Sequence, residues 1–277
     1  AAHRIGEVLH THPTILDGTQ ASGDPACPGQ VEFRNVSFRY PDAEEYVLKD
    51  ISFTAKRGET VAIIGSTGCG KSTVVNLIPR FYDATEGQVL VDGVDVREYD
   101  QRSLRNKIGY VSQKATLFTG TIASNVAYGD NGEAPPSPAD VQAAVSTAQA
   151  EDFVTHMEGG YEGYVAQGGA NLSGGQKQRL SIARAIARKP EILLFDDAFS
   201  ALDYKTDRVL RSALDQTCQN TTRIIVAQRI GTIRDADQII VLDDGQIAGI
   251  GKHQDLMQTC GVYQQIALSQ LSKEELA

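Results

Sequence analysis

The sequence contains few of the residues that build metal or redox centres. Its four cysteines are scattered along the chain: Cys27, Cys69, Cys218 and Cys260. With no close pair among them, we interpret them as reduced thiols of a cytosolic protein. The histidines are also dispersed, and the nearest pair, His10 and His12, has no cysteine or acidic partner at ligand spacing. We therefore expect no cysteine- or histidine-based metal site.

Long apolar runs and an excess of positive charge are also missing. No run approaches the roughly 18 apolar residues that a membrane span requires. The first six residues lack the apolar core of a secretory signal. The net charge of −9 excludes the broad basic surface that binds nucleic acid. The remaining composition is typical of a globular protein, and 277 residues allow one large domain or two small ones.

The most informative stretch is Gly65–Thr73, which follows the apolar run Val61–Ile64. Two glycines five residues apart precede Lys71 and Ser72, a pattern typical of phosphate-binding loops. Such a loop surrounds a phosphate with backbone N–H groups, and the following helix adds its dipole. The lysine can reach the β- and γ-phosphates, and the serine hydroxyl can bind Mg²⁺. We predict nucleotide contacts from Gly65, Ser66, Thr67, Gly68, Cys69, Gly70, Lys71, Ser72 and Thr73.

Strand and helix patterns alternate around this loop. Strand patterns are found at 31–38, 47–53, 61–64, 87–93, 108–113, 191–195, 223–226, 238–242 and 246–248. A helix is predicted from Lys71 to about Phe81. This alternation predicts an α/β fold with a mostly parallel core sheet and an antiparallel β edge near residues 31–60. Residues 114–182 are mainly helical, with loops at 129–138 and 159–170, and are predicted to be an inserted helical subdomain. A long helix is predicted from Ser173 toward Arg188.

The first thirty residues differ from the rest. Residues 1–15 carry apolar side chains at helical spacing, and Thr19–Gln30 is rich in glycine, serine and proline. We expect residues 1–30 to be a linker and residues 31–277 to form the domain.

Two further motifs bear on chemistry. The apolar strand Ile192–Phe195 ends in Asp196, which in a phosphate-loop protein is the natural holder of Mg²⁺. A GTPase would need an Asn-Lys-x-Asp motif, and the stretch Asn106–Gly109 lacks its Asp. The segment Leu172-Ser173-Gly174-Gly175-Gln176 places small residues at a helix start, where N–H groups and a hydroxyl can bind an anion. Alone, this segment could be only an N-capped helix.

Together, these motifs resemble those of ATP-binding-cassette (ABC) transporter nucleotide-binding domains, and the resemblance covers nearly the whole chain. It implies a P-loop ATPase that binds ATP and Mg²⁺. Tyr40 would stack on adenine, and Gln113 would contact Mg²⁺ and sense the γ-phosphate. Asp203, in the loop 200–203, would lie between two domains that sandwich two ATP molecules head to tail. The signature residues 172–176 would then complete the partner's ATP site.

Three positions depart from the family pattern. Asp197 stands where the family has the glutamate that polarises water, and its side chain is one methylene, roughly 1.5 Å, shorter. Gln228 replaces the histidine that contacts the γ-phosphate, and an amide cannot carry positive charge. Gln167 replaces an acidic residue that contacts the membrane domain. Because a general base must lie within hydrogen-bond reach, we expect slow hydrolysis at this chain's own site, although sequence drift with intact hydrolysis is the alternative.

The resemblance is to exporters that fuse membrane and ATPase domains and move drugs, lipids or other amphiphiles. The segment Ala1–Leu9 resembles the stretch that leaves their last membrane helix, so we expect an excised domain that works at the cytoplasmic face of the cell membrane. Its expected partners are a transmembrane domain and a second, non-identical nucleotide-binding domain, and not nucleic acid. Two alternatives are a soluble ABC ATPase of DNA repair and a regulatory module that holds ATP without turnover.

Overall fold

Two sheets organise the chain, whose computed structural model describes Gly6, His10 and residues 13–270. The strands are β1 (Val31–Phe38), β2 (Leu48–Ala55), β3 (Thr60–Gly65), β4 (Glu86–Val91), β5 (Val94–Asp95), β6 (Ile108–Val111), β7 (Gly120–Thr121), β8 (Tyr164–Val165), β9 (Ile192–Asp196), β10 (Thr222–Val226), β11 (Gln238–Asp243) and β12 (Gln246–Gly251). The central sheet has the order β12-β11-β3-β10-β9-β6 and is parallel except for the β11–β12 pair. The parallel core predicted from the sequence is confirmed.

Alternate residues of β3 face the two sides of this sheet, because side chains alternate along a strand. Ala62 and Ile64 pack into the core shared with the helical insertion. Val61 and Ile63 pack into the core under the antiparallel sheet, whose order is β2-β1-β4-β5. The predicted antiparallel β edge is therefore present, and strands from residues 86–95 also belong to it.

The helices are α1 (Lys71–Leu77), α2 (Gln101–Asn106), α3 (Ile122–Val126), α4 (Pro138–Thr147), α5 (Glu151–His156), α6 (Gly174–Ala187), α7 (Tyr204–Thr217), α8 (Ile230–Ile233), α9 (His253–Thr259) and α10 (Gly261–Gln270). Helices α3 to α6 pack together as the predicted helical insertion. Helix α6 agrees with the predicted bounds. No helix in the described residues combines the length and the apolar character that crossing a membrane requires.

Two local predictions were wrong. Helix α1 stops at Leu77 instead of continuing to Phe81. Pro79 explains the early end, because a proline has no N–H to continue the helical hydrogen bonds after Ile78. The segment 159–170, predicted as a loop, contains two short 3₁₀ turns and strand β8, which pairs with β7.

The segment before β1 lies along the domain. The N–H groups of Gly18 and Gln20 donate to the backbone carbonyls of Tyr99 and Glu98. Gly29 donates its N–H to the buried carboxylate of Asp92 at 2.6 Å. Its carbonyl accepts from the Thr222 hydroxyl, also at 2.6 Å. These contacts attach residues 18–29 to both sheets, while the helical pattern of residues 1–15 falls largely outside the described residues.

Candidate functional site

The phosphate loop connects β3 to α1, and two of its glycines are required by geometry. A Cβ on Gly65 would lie 2.2 Å from the backbone oxygen of Leu242 on the neighbouring strand. Gly70 has φ +100°, a conformation open chiefly to glycine. Within the described residues, the N–H groups of Gly70, Lys71, Ser72 and Thr73 make no hydrogen bond. Four consecutive N–H groups at a helix start are the donors that a phosphate group accepts from.

Lys71 adds a positive charge to this cradle. Its side chain is largely buried, and its ammonium donates to the backbone carbonyls of Gly65 at 2.8 Å and Ser66 at 2.7 Å. Neutral carbonyls do not compensate the charge of a buried ammonium, and no carboxylate in the described chain forms a salt bridge with it. A phosphate oxygen would supply that charge, and such charge-assisted hydrogen bonds are the strong ones.

Two of the three residues predicted to hold Mg²⁺, Ser72 and Asp196, meet at the carboxyl edge of the central sheet, while the third, Gln113, contacts Asp197. Ser72 donates its hydroxyl hydrogen bond to the Oδ1 atom of Asp196 at 2.8 Å. Tyr110 on β6 points its hydroxyl at the other carboxylate oxygen, at 3.4 Å, and at Asn76 on α1, at 3.1 Å. Hydroxyl and carboxylate oxygens are the ligands that Mg²⁺ prefers, so the pair fits this ion. Burial, helped by the Asp196 carboxylate, raises the pKa of Tyr110.

The three residues predicted to be catalytic form one hydrogen-bonded cluster. The Oδ2 atom of Asp197 accepts from the side-chain amides of Gln113 at 3.1 Å and Gln228 at 2.9 Å. Asp197 is buried and has φ +49°, a region that aspartate tolerates better than most residues. Burial raises the pKa of its carboxyl group, while the Gln113 amide opposes that effect. The structure thus joins Gln113 to Asp197, and two of the three positions that depart from the family pattern, Asp197 and Gln228, contact each other.

Tyr40 lies beside the phosphate loop. Its hydroxyl is 2.9 Å from the hydroxyl of Thr73, and its ring packs edge-on against Phe38 and Tyr82. The tyrosine borders an open cleft of ≈ 580 Å³ that Arg39 and Tyr82 also line. Stacking of Tyr40 on adenine stays a prediction, and its place beside the phosphate loop is compatible with it.

The signature segment begins α6, where Ser173 and Gln176 form a capping box. The Ser173 hydroxyl accepts from the Gln176 N–H at 3.3 Å, and the Gln176 side chain accepts from the Ser173 N–H at 2.8 Å. On the same helix, Gln178 is buried and donates to the carbonyl of Ser112, next to Gln113. Within the described chain, no hydrogen bond joins Leu172, Ser173, Gly174, Gly175 or Gln176 to the phosphate loop. Ser173 and Gly174 are exposed, whereas Leu172, Gly175 and Gln176 are half-buried.

Asp203, the predicted dimer-loop residue, caps the start of α7 by accepting from the Thr206 N–H at 2.9 Å. Arg229, which the sequence reading missed, donates to the carbonyls of Ser200 and Leu202 and ties this loop to Gln228's segment. No local sequence pattern indicates the Arg229 contacts, because its two partners lie more than twenty positions away along the chain.

A glycine-rich loop between a buried strand and a helix, with a magnesium-type Ser–Asp pair, defines a P-loop nucleotide-binding domain. Residues 48–200 match the family model described as ABC transporter. The chain belongs to the ABC transporter family, as an ATP-binding domain whose relatives include exporters.

Named relatives and a solved structure agree with this assignment. The chain is 47% identical over 271 residues to an uncharacterized ABC transporter ATP-binding protein of Mycobacterium tuberculosis, covering 97% of this chain and 46% of the relative. It is 43% identical over 263 residues to an ATP-dependent lipid A-core flippase of Methylobacillus flagellatus, covering 95% and 44%. A bacterial Atm1-family ABC exporter with ATP bound superposes with a TM-score of 0.90 at 39% identity, covering 98% of this chain and 47% of that chain. The chain thus spans about half the length of these relatives.

Proposed function

We propose that this chain is the ATP-binding and ATP-hydrolysing domain of an ABC exporter that moves lipids, drugs or other amphiphiles across a membrane. The observation that carries the proposal is the set of unbonded N–H groups beside the buried ammonium of Lys71, which forms no salt bridge within the described residues. The relatives support a role in transport, since they include a lipid A-core flippase and a multidrug resistance protein of Entamoeba histolytica. The chain would act at the cytoplasmic face of the membrane through a transmembrane domain.

Each residue has a role in this proposal. The N–H groups of residues 70–73 and Lys71 bind the phosphates, while Tyr40 stacks on the base. Ser72 and Asp196 hold Mg²⁺, which screens the phosphate charge when it is bound. Gln113 would contact Mg²⁺ and donate a hydrogen bond to Asp197, and Asp197 orients the attacking water.

The test is to replace Lys71 by alanine and to measure binding of a fluorescent ATP analogue with Mg²⁺. We expect at least a tenfold weaker affinity, about 1.4 kcal/mol, because charge-assisted hydrogen bonds are worth about 1.5–3 kcal/mol. Lys205→Ala, which removes an exposed lysine from α7, is the matched control. Equal affinity of the Lys71→Ala variant and the parent would contradict the phosphate-loop assignment.

We further propose that this chain's own site hydrolyses ATP slowly and that its signature completes the faster site of a second, non-identical domain. The support is that Asp197 and Gln228, both departures from the family pattern, hydrogen-bond to each other, while the signature is intact and its Ser173 is exposed. A homodimer would have two slow sites.

The trans role of the signature has a separate test. Ser173→Ala should leave the ATP affinity of the monomeric chain within twofold of the parent's, and should lower ATPase activity of the assembled transporter by about tenfold or more, since an anion-binding donor is lost. Ser269→Ala, an exposed serine of α10, serves as control. Weakened monomer affinity with normal transporter turnover would contradict the head-to-tail arrangement.

A regulatory module that holds ATP without turnover is the second candidate. The double engagement of Asp197 by two glutamine amides favours it, because a carboxylate oxygen occupied in this way is less free to accept a proton from water. Separate measurements of ATP binding and phosphate release distinguish the two candidates.

A further inference from the structure

The C-terminal helix reaches the catalytic cluster through one side chain. Gln270, on the last turn of α10, donates from its Nε2 atom to the backbone carbonyl of Gln228 at 2.7 Å. Its Oε1 atom accepts from the backbone N–H of Ile230 at 2.9 Å. One amide thus bridges both sides of Arg229 in the three-residue stretch Gln228–Ile230, which we name the switch segment.

These contacts satisfy backbone groups that have no closer partner. Ile230 begins α8, and the first N–H groups of a helix need acceptors from outside it. Arg229, the residue at the capping position, makes no side-chain cap, so Gln270 supplies the acceptor. Arg229 instead binds the carbonyls of Ser200 and Leu202. The switch segment is therefore held on one side by the loop 200–203 and on the other side by α10.

Helix α10 is a firm base for this contact. Its residues Tyr263 and Ala267 are fully buried against the domain. Gln270 lies less than one turn after Ala267, so its backbone is fixed relative to the sheet. A side-chain amide can donate to a carbonyl and accept from an N–H at the same time. A glutamate would keep only the acceptor.

The geometry points to Gln270 as a positioning residue of the ATPase site: it holds the backbone of Gln228 where the Gln228 amide meets Asp197. This inference rests on the proposed function, since it concerns the same site. Gln270 does not touch the nucleotide in this scheme and acts through Gln228. Helix α10 would then set how the catalytic cluster is arranged.

The first experiment measures geometry and needs no turnover. In the full chain labelled with ¹⁵N-glutamine, the side-chain amide resonance of Gln228, assigned by its loss in Gln228→Ala, should shift in Gln270→Ala. The Ile230 N–H should exchange with solvent about fivefold faster in that variant, as expected for the loss of a hydrogen bond of ordinary net strength. Gln270→Glu should keep the Ile230 protection and still shift the Gln228 resonance. Gln265→Ala, an exposed glutamine of the same helix, should change neither.

The second experiment measures phosphate release. Gln270→Ala should lower kcat about three- to tenfold with ATP affinity within twofold of the parent's, because a small misplacement of a catalytic group is costly. In a Gln228→Ala background, Gln270→Ala should not lower kcat further. A general loss of stability would lower kcat in that background as well.

An unchanged Gln228 resonance and unchanged Ile230 exchange in Gln270→Ala would overturn the inference. A kcat loss that is the same with and without Gln228 would also overturn it. Absence of ATP binding by the parent would refute the proposed function instead, and the exchange and resonance measurements would still decide whether α10 positions the switch segment.

Discussion

Restoring the family residues at positions 197 and 228 together should speed hydrolysis more than either change alone. The perturbation is Asp197→Glu combined with Gln228→His. The structure supplies the reason for coupling, because both glutamine amides converge on one oxygen of Asp197, at 3.1 and 2.9 Å. A longer acid at this position must leave both hydrogen bonds, each worth about 1 kcal/mol, and a change at position 228 removes one of these two costs.

The expected rate increase follows from the position of the carboxylate and from the charge of the histidine. The added methylene advances the carboxylate by roughly 1.5 Å, and a misplacement of about 1 Å costs on the order of a hundredfold in rate. A histidinium on the γ-phosphate gains roughly 1 kcal/mol over a neutral amide, about fivefold. We expect the double variant to release phosphate on the order of a hundredfold faster than the parent. Asp197→Glu alone should gain about twenty- to thirtyfold less, because the intact Gln228 bond costs about 1 kcal/mol and the histidine gain of roughly 1 kcal/mol is absent.

The assay is steady-state phosphate release with saturating ATP and Mg²⁺ at high chain concentration. Asp235→Glu combined with Gln265→His repeats the same chemistry on exposed residues and should leave the rate unchanged. If the parent already releases phosphate as fast as the double variant, the proposal that this chain's own site hydrolyses ATP slowly is refuted. The main argument for a non-identical partner is then lost as well. Strictly additive single changes would refute the coupling through Asp197.

Two further predictions concern stability. Buried Asp207 accepts hydrogen bonds from Arg211 and Thr232, both at 2.9 Å. Asp207→Ala should therefore lower the free energy of unfolding, measured by urea titration, by about 3 kcal/mol. A loss below about 1 kcal/mol would contradict a stabilising Asp207–Arg211 pair. Burial, together with Arg234, lowers the pKa of His253, whose ring contacts the Tyr263 hydroxyl. Stability should therefore be full above the ordinary histidine pKa and fall as the pH drops below it, and His253→Gln should flatten this dependence; an unchanged slope would exclude His253 as its source.

The parts of the site that the sequence predicts are those with local patterns. The phosphate loop, the strand ending in Asp196 and the capped start of α6 each lie within a few consecutive residues, where spacing specifies conformation. The early end of α1 also has a local signal, since Pro79 lacks the N–H that would continue the helix.

Contacts between distant positions could not be predicted in this way. Gln270 and Gln228 are 42 positions apart, and Tyr110 and Asp196 are 86 apart. These pairings depend on how helices and strands pack, and hydrophobic period does not specify which polar side chains then meet. The clustering of Gln113, Gln228 and Asp197 has the same origin: β6, β9 and β10 are adjacent in the sheet although far apart in the chain.

The attachment of residues 18–29 has a mechanical consequence. Its hydrogen bonds end on the turn before α2, on Asp92 after β4 and on Thr222 of β10, so they belong to two different sheets. A segment bonded to several elements opens only together with them, as one cooperative unit. A pull transmitted through the residues before Pro13 would therefore not peel this segment away bond by bond. The load would be shared by elements of both sheets.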